Sequence, residues 1–374
     1  MKSIFIVFGL SALAIVSFNT ASCAFQVSDF SEEVERSIHD RLEYGKYVSI
    51  MIGIVDTEGS RYYSYGTVSP TSDKAADEKS VYEIGSITKV FTTILLADMA
   101  QKGELRLDDP IERYLPDHVE APTRNGHSIT LAHLATHTSG LTRMPDNFAP
   151  TNVSNPWSDY SISQLYKALS NYTLQRDIGE DSEYSNYGFA LLGTILTLCS
   201  GMTYGELIKL HIADEIGLKD TGTLLTPNMQ ERLVKGHRGG VEVPNWSRQV
   251  YGHGGLISTA KDLLRFVAAN AGLIDTPLYS AMQLTHQPVA LFGAKKMAPS
   301  LGWEVRTKDK ITVIYHDGST GGYKSFAGFL KGGKKGVIVL TNSKGSVVDL
   351  GRHLIHPSFA LKDIDYLIKK SGNL

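Results

Sequence analysis

"YEIGSITKVFTTILLADMA", residues 82–100, places Ser86 and Lys89 three positions apart at the head of an almost wholly apolar run. An ammonium at the mouth of such a helix needs a reason. Serine is a poor nucleophile unless a neighbouring base takes its proton. On a helix, residues i and i+3 share a face, so the spacing predicts the Lys89 amine beside the Ser86 hydroxyl. Burial against Val90, Phe91 and Ile94 disfavours the charged ammonium and makes the lysine a better base. The oriented N–H groups of a helix N-terminus suit an oxyanion. Taken alone, the stretch fits equally well a helix cap followed by a lysine that snorkels to solvent. The chain supplies its own control, because Ser258 and Lys261 in "GGLISTAKDLLRF" have the same spacing. There Thr259 and Asp262 read as a capping box, with Lys261 pointing to solvent.

Two further motifs separate these readings. Among eighteen tyrosines only Tyr184 begins a Tyr-x-Asn triplet, in "EYSNYGFALLG" just before another apolar helix. Asn186 is either a cap for that helix or an amide that holds a substrate carbonyl. Tyr184 is either a packed aromatic or, as a phenolate near Lys89, a general base. The third motif is "HDGSTGGYKSF", residues 316–326, between strand candidates. It reads as a hairpin turn, or as a binding edge. In the second case Gly318 lets a ligand approach the backbone, the Ser319 N–H completes an oxyanion hole with that of Ser86, and His316 donates to a substrate carboxylate.

The rest of the chain gives these motifs a setting. The 374 residues are 42% hydrophobic and 20% charged, a globular composition long enough for a large core or two domains. A formal net charge of -2 carries no electrostatic footprint of a nucleic-acid binder. Residues 1–24 read as a signal peptide: Lys2, an apolar run from Ile4 to Phe18, then small residues in "NTASCAF". This predicts export to the periplasm or cell exterior, by cleavage after Ala24 in preference to lipidation at Cys23. No later run approaches the ~18 residues that span a bilayer, so no membrane span is expected after cleavage. Cys199 then stands alone and no disulfide is expected.

"SDFSEEVERSIHDRLEY" has helical spacing with acid early, and "YVSIMIGIVDT" and "RYYSYGTVS" read as a hairpin. "KITVIYHDGS", "KSFAGFLK" and "GVIVLTNS" restore strand signals, with "KGGKKG" as a turn and a closing helix from about Val347. The expected fold is α/β (α+β): residues 25–100 and 245–374 form one antiparallel sheet flanked by terminal helices, and residues 101–244 form an inserted helical domain.

Ser-x-x-Lys, Tyr-x-Asn and His-x-Gly in this order resemble the serine penicillin-recognising enzymes. The resemblance is to the branch of class C β-lactamases and related D-alanyl-D-alanine carboxypeptidases, endopeptidases and esterases. "KGELRLDDPIERYLPD", "ITLAHLATHTSGL", "GHGGLISTAKDLLRF" and "GSTGGY" look like that branch too, and the likeness runs from about Ser28 to Asn342. It implies the β-lactamase/transpeptidase-like architecture, with the site between sheet and helical domain. It implies Ser86 as acylated nucleophile, Lys89 and Tyr184 as the proton-transfer pair, and Asn186 as substrate ligand. Ser86 and Ser319 then supply the oxyanion amides, and no cofactor is needed. The implied substrate is a small β-lactam or a D-alanyl-D-alanine-type cell-wall peptide. One departure stands out: class C β-lactamases carry Lys-Thr-Gly where this chain has His316-Asp317-Gly318. A histidine there occurs in some peptidases of the branch, which points away from efficient β-lactam hydrolysis and leaves acyl transfer intact.

Three rivals remain at this level. His127, His133 and His137 crowd together as in a zinc site, but the His-Glu-x-x-His signature is absent and His137 is expected to be structural. Carboxyl-ester hydrolysis by the same serine fits the same motifs. So does a penicillin-binding sensor that acylates and stalls. The letters leave the oligomeric state open.

Overall fold

The computed structural model describes residues 29–45, 47–289 and 298–372. The expected signal segment, residues 1–24 with Cys23, lies outside the described residues. Helix α1 (Glu32–Glu43) starts where the Ser31 hydroxyl accepts from the Val34 amide, with Glu32, Glu33 and Glu35 in its first turn, where the dipole favours acid. Strands β1 (Ser49–Asp56) and β2 (Gly59–Gly66) follow as a tight antiparallel hairpin. Short strand β3 (Val81–Glu83) leads through a 3₁₀ turn, Gly85–Ile87, into α2 (Thr88–Gln101).

The middle of the chain supplies α3 (Leu131–Ala135), α4 (Ile162–Asn171) and α5 (Asn186–Ser200), then a helical run over Tyr204–Ile216. Two small strand pairs also lie here, Thr123–Arg124 with His127–Ser128 and Gly236–Arg238 with Val241–Val243. Among the described residues no single helix is long and apolar enough to cross a membrane.

Strand β4 (Ile257–Thr259) pairs back onto β3, and α6 (Ala260–Asn270) follows. Four strands then complete the main sheet: β5 (Glu304–Lys308), β6 (Ile311–Ser319), β7 (Lys324–Leu330) and β8 (Lys335–Thr341), closed by α7 (Val348–Ile355). The sheet order is β5-β6-β7-β8-β1-β2, antiparallel throughout, so both ends of the chain meet where β1 pairs with β8.

The two-residue period of the strands sorts side chains onto two cores. Ile50, Ile52 and Ile54 face α1 and α7 together with Val337, Val339 and Phe326. Met51, Val55, Ile338 and Leu340 face α6 and join a larger core that continues through α2 into the middle helices. Phe91 of α2 stacks on Phe266 of α6 with ring centroids 4.0 Å apart.

Helices α1 and α7 are joined by a buried ion pair that the sequence pattern did not announce. Arg41 of α1 donates to Asp349 of α7 at 2.6 Å, with the two side chains 1% and 4% exposed. Removing one partner of such a pair strands the other charge in the core. Arg41→Met is therefore expected to lower the unfolding free energy by about 3–5 kcal/mol, read from urea denaturation. Adding Asp349→Leu should recover much of the loss, and a single variant as stable as the parent would contradict this account.

Candidate active site

Ser86 lies in the 3₁₀ turn before α2 rather than in the α-helix itself. In that tighter winding residues i and i+3 eclipse, which aligns Ser86 with Lys89 even better than an α-helix would. Lys89 Nζ lies 3.1 Å from Ser86 Oγ, within hydrogen-bond reach. Lys89 is 0% exposed, so it does not snorkel. Its other contacts are Asn186 Oδ1 at 2.8 Å and the His253 carbonyl at 2.6 Å. The amine thus sits among three oxygens from three separate stretches of chain.

The control spacing behaves as expected. Lys261 is exposed, Ser258 is buried against Thr221 Oγ1 at 2.8 Å, and Thr259 caps α6 by accepting from the Asp262 amide. The capping box is only half formed, because the Asp262 carboxylate turns to the Asp220 amide at 2.6 Å and to Thr221.

Asn186 is free for the site because Ser185, not Asn186, caps α5: the Ser185 hydroxyl accepts from the Gly188 amide at 2.8 Å. With its carbonyl oxygen on Lys89, the Asn186 amide nitrogen faces only Met144 Sδ at 3.5 Å, which leaves a donor for a ligand. Tyr184 comes to the same place. Its phenol is close enough to Ser86 to feel that hydroxyl, and Lys89 Nζ lies 4.7 Å from its ring centroid. Two residues that sequence reasoning did not assign to the site hold that ring. His137 packs against it at 4.6 Å and accepts from the Ser185 amide at 3.0 Å, with its own backbone at φ 62. The Arg143 guanidinium covers it at 5.0 Å.

Electrostatics assign the protons. Burial holds Lys89 well below the ordinary lysine value, the charges of Arg143 and Arg248 push the same way, and Asp317 opposes them. Burial pushes the Tyr184 phenol up, against the opposing influence of the Ser86 hydroxyl. Burial thus favours a neutral amine beside a neutral phenol; such an amine, with its two N–H bonds on the Asn186 and His253 oxygens, turns its lone pair to the Ser86 hydroxyl. Burial disfavours the phenolate that the sequence allowed and makes the neutral amine the better proton acceptor.

The third motif closes on the same point. A Cβ on Gly318 would stand 2.0 Å from the Ile84 carbonyl, and one on Gly85 2.6 Å from Ser319 N, with Gly85 at φ +52. Only glycine permits this contact between the 3₁₀ turn and the end of β6. Ser325 Oγ ties the junction by donating to the Ile84 carbonyl at 2.8 Å. His316 is 3% exposed, and its Nδ1 lies 2.6 Å from the Asp317 carbonyl. A carbonyl only accepts, so Nδ1 carries the proton and neutral His316 presents Nε2 as an acceptor. Burial, with Lys89 adding, pushes its pKa to about 4. The donor role foreseen for His316 is thus unavailable to the neutral ring.

A cavity of about 560 Å³ lies against Tyr184 and His316, lined also by His137, Trp303, Glu304 and Arg306. The segment that precedes α4, residues 141–160, is pinned: Trp246 Nε1 donates to the Ser154 carbonyl at 2.9 Å, and the Trp157 ring packs 4.0 Å from that of His253. The clustered histidines turn apart, His133 to Thr130 and His137 to Ser185. Among the described residues no three His, Cys, Asp or Glu side chains are grouped to hold a metal.

The sequence model of the Beta-lactamase family matches residues 34–356. The D-alanyl-D-alanine-carboxypeptidase/endopeptidase AmpH of Escherichia coli K12 is 29% identical over 312 residues, covering 80% of each chain. A β-lactamase of the same organism is 24% identical over 364 residues, covering 86% of this chain and 92% of its own. The crystal structure titled β-lactamase/D-alanine carboxypeptidase from Pseudomonas syringae superimposes with a TM-score of 0.74 over 87% of this chain and 97% of that one, at 22% identity, a likeness of fold.

Two outcomes follow from the geometry. Gly85→Ala should cut acyl transfer by about 100- to 1000-fold, the usual cost of displacing one oxyanion donor, while circular dichroism shows a retained fold; full activity would contradict the close contact. A depressed lysine pKa keeps the base neutral above that lowered value and loses it as pH falls through it. The acid limb of a kcat/KM profile should therefore lie well below the ordinary lysine value of about 10.4, and activity appearing only near that pH would exclude Lys89 as base.

Proposed function

The chain belongs to the Beta-lactamase family and is a serine hydrolase, and from that premise we propose that it is exported and cleaves an amide through an acyl-Ser86 intermediate. The substrate we propose is a D-alanyl-D-alanine-type cell-wall peptide or a β-lactam that mimics it. The observation that carries the reading is the fully buried Lys89 amine 3.1 Å from Ser86 Oγ, its pKa held well below the ordinary lysine value by burial.

In this mechanism Ser86 Oγ attacks the scissile carbonyl carbon as its proton passes to Lys89. The Ser86 and Ser319 amides hold the oxyanion. Asn186 Nδ2 binds a carbonyl of the acyl part. Collapse of the tetrahedral adduct breaks the C–N bond, Tyr184 gives its proton to the leaving nitrogen, and the Lys89 ammonium restores the phenol. Water then attacks the acyl-serine by the same route in reverse, and the acid product leaves.

The peptidase reading draws support from the E. coli relative named a D-alanyl-D-alanine-carboxypeptidase/endopeptidase and from His316 at the position where class C β-lactamases carry lysine. Export rests on the sequence of residues 1–24, with cleavage after Ala24 preferred to lipidation of Cys23.

Labelling by a fluorescent penicillin is expected for the parent and lost in Ser86→Ala; equal labelling of both would refute the assignment. Turnover of nitrocefin, a short-chain nitrophenyl ester and a D-Ala-D-Ala peptide then ranks the leaving groups, and the peptide is expected to lead. A permanent adduct in mass spectra after long β-lactam exposure would instead mark a sensor.

A further inference from the structure

The segment leaving β8 returns past the end of β6, and Lys344 on it reaches the oxyanion strand. Its Nζ donates to Ser319 Oγ at 3.2 Å and to the Thr320 carbonyl at 3.0 Å. No acid pairs with it among the described residues. The charged groups acting on it are Lys324 on β7, directly opposite Ser319 in the ladder, and Arg238 on the short strand Gly236–Arg238, both cations. A half-buried ammonium held only by a hydroxyl and a carbonyl, in positive surroundings, lacks a compensating anion.

The proposed chemistry brings one to this spot. In a peptide ending in D-alanyl-D-alanine, the terminal carboxylate follows the scissile carbonyl carbon by the amide nitrogen and one carbon, roughly 4 Å of bonds. A substrate whose carbonyl oxygen rests on the Ser319 N–H therefore carries its carboxylate within reach of a group bonded to the Ser319 side chain. A β-lactam sets its carboxylate in the same relation to the ring nitrogen. His316 does not compete for it, since the neutral ring turns an acceptor outward.

Resting on the serine-hydrolase reading of the cleft, we propose that Lys344 binds the free carboxylate of the substrate's leaving-group side and so selects C-terminal peptide acids. The bond to Ser319 Oγ aims the ammonium, and a carboxylate oxygen takes a place in its donor set.

The test compares a D-Ala-D-Ala-terminated peptide with its C-terminal amide, on the parent enzyme, Lys344→Met and Lys344→Arg. The acid-to-amide ratio of kcat/KM is expected to fall about 10- to 100-fold in Lys344→Met, as for loss of a charge-assisted hydrogen bond. The fall should come mainly through KM, and Lys344→Arg should restore part of the ratio. An unchanged ratio, or a loss shared equally by acid and amide as from structural damage, overturns the inference while leaving Ser86 in place. Absence of an acyl-Ser86 species in mass spectra of the parent enzyme overturns the underlying reading, and this inference with it.

Discussion

Lys89 is the constraint around which the molecule is arranged. A lysine fully out of water is costly unless its nitrogen finds partners, and here they come from Ser86, Asn186 and the His253 carbonyl. Meeting that requirement fixes the 3₁₀ turn, the start of α5 and the segment before β4 relative to one another. The rest of α2 extends the principle. It is buried all round, as a helix without a polar face must be, and its threonines pin further segments. The Thr88 hydroxyl donates to the Gly85 carbonyl at 2.7 Å and accepts from the Leu256 amide at 3.0 Å. Thr92 Oγ1 contacts Tyr204 Oη and the Gly252 carbonyl, each at 2.7 Å. Thr93 reaches the Leu301 carbonyl at 3.0 Å. The apolar run that looked like a simple core helix is a spine with a polar seam.

The proposed oxyanion pair has a different origin, since it is made of backbone. Ser86 and Ser319 belong to segments far apart in sequence, and they converge because glycines at 85 and 318 remove the Cβ atoms that would hold turn and strand apart. The strand end is held in turn by the ladder, where Gly318 faces Ser325 and Ser319 faces Lys324. Donors fixed by a sheet and a helix start need little reorganisation when charge develops, which is why such sites stabilise transition states better than water does.

Much of this was legible in the letters, and the reason is local chemistry. Strand runs at both ends, the "KGGKKG" turn between β7 and β8, the acidic start of α1 and the closing helix each follow from period and composition over a few residues. The three motifs were legible as motifs because each keeps its chemistry within four positions. What escaped depends on the fold. The β3–β4 pair joins segments more than a hundred residues apart. His253 contributes a carbonyl, which any residue has, so no side chain marks it. Ser185 rather than Asn186 caps α5 because the Ser185 hydroxyl faces the Gly188 amide in the folded turn, and either residue type is a good cap in the abstract. The His316 tautomer depends on one carbonyl 2.6 Å away.

The histidine at 316 also fits the charge balance of the cleft. Lys89 already feels Arg143 and Arg248, and Arg248 is itself so desolvated that its pKa falls to about 10. A lysine at 316 would add another buried cation where desolvation opposes it, as it does for the imidazole, and it would repel the ammonium that Lys89 becomes on taking the Ser86 proton. A ring that sheds its proton avoids that repulsion. It also keeps a hydrogen-bonding edge between Tyr184, with ring centroids 6.2 Å apart, and the Asp317 backbone. With a neutral group at the motif position and the charges of exposed Arg143 and buried Arg248 already acting on the base, the cation proposed for substrate recognition lies further out, where water still screens one cation from the next.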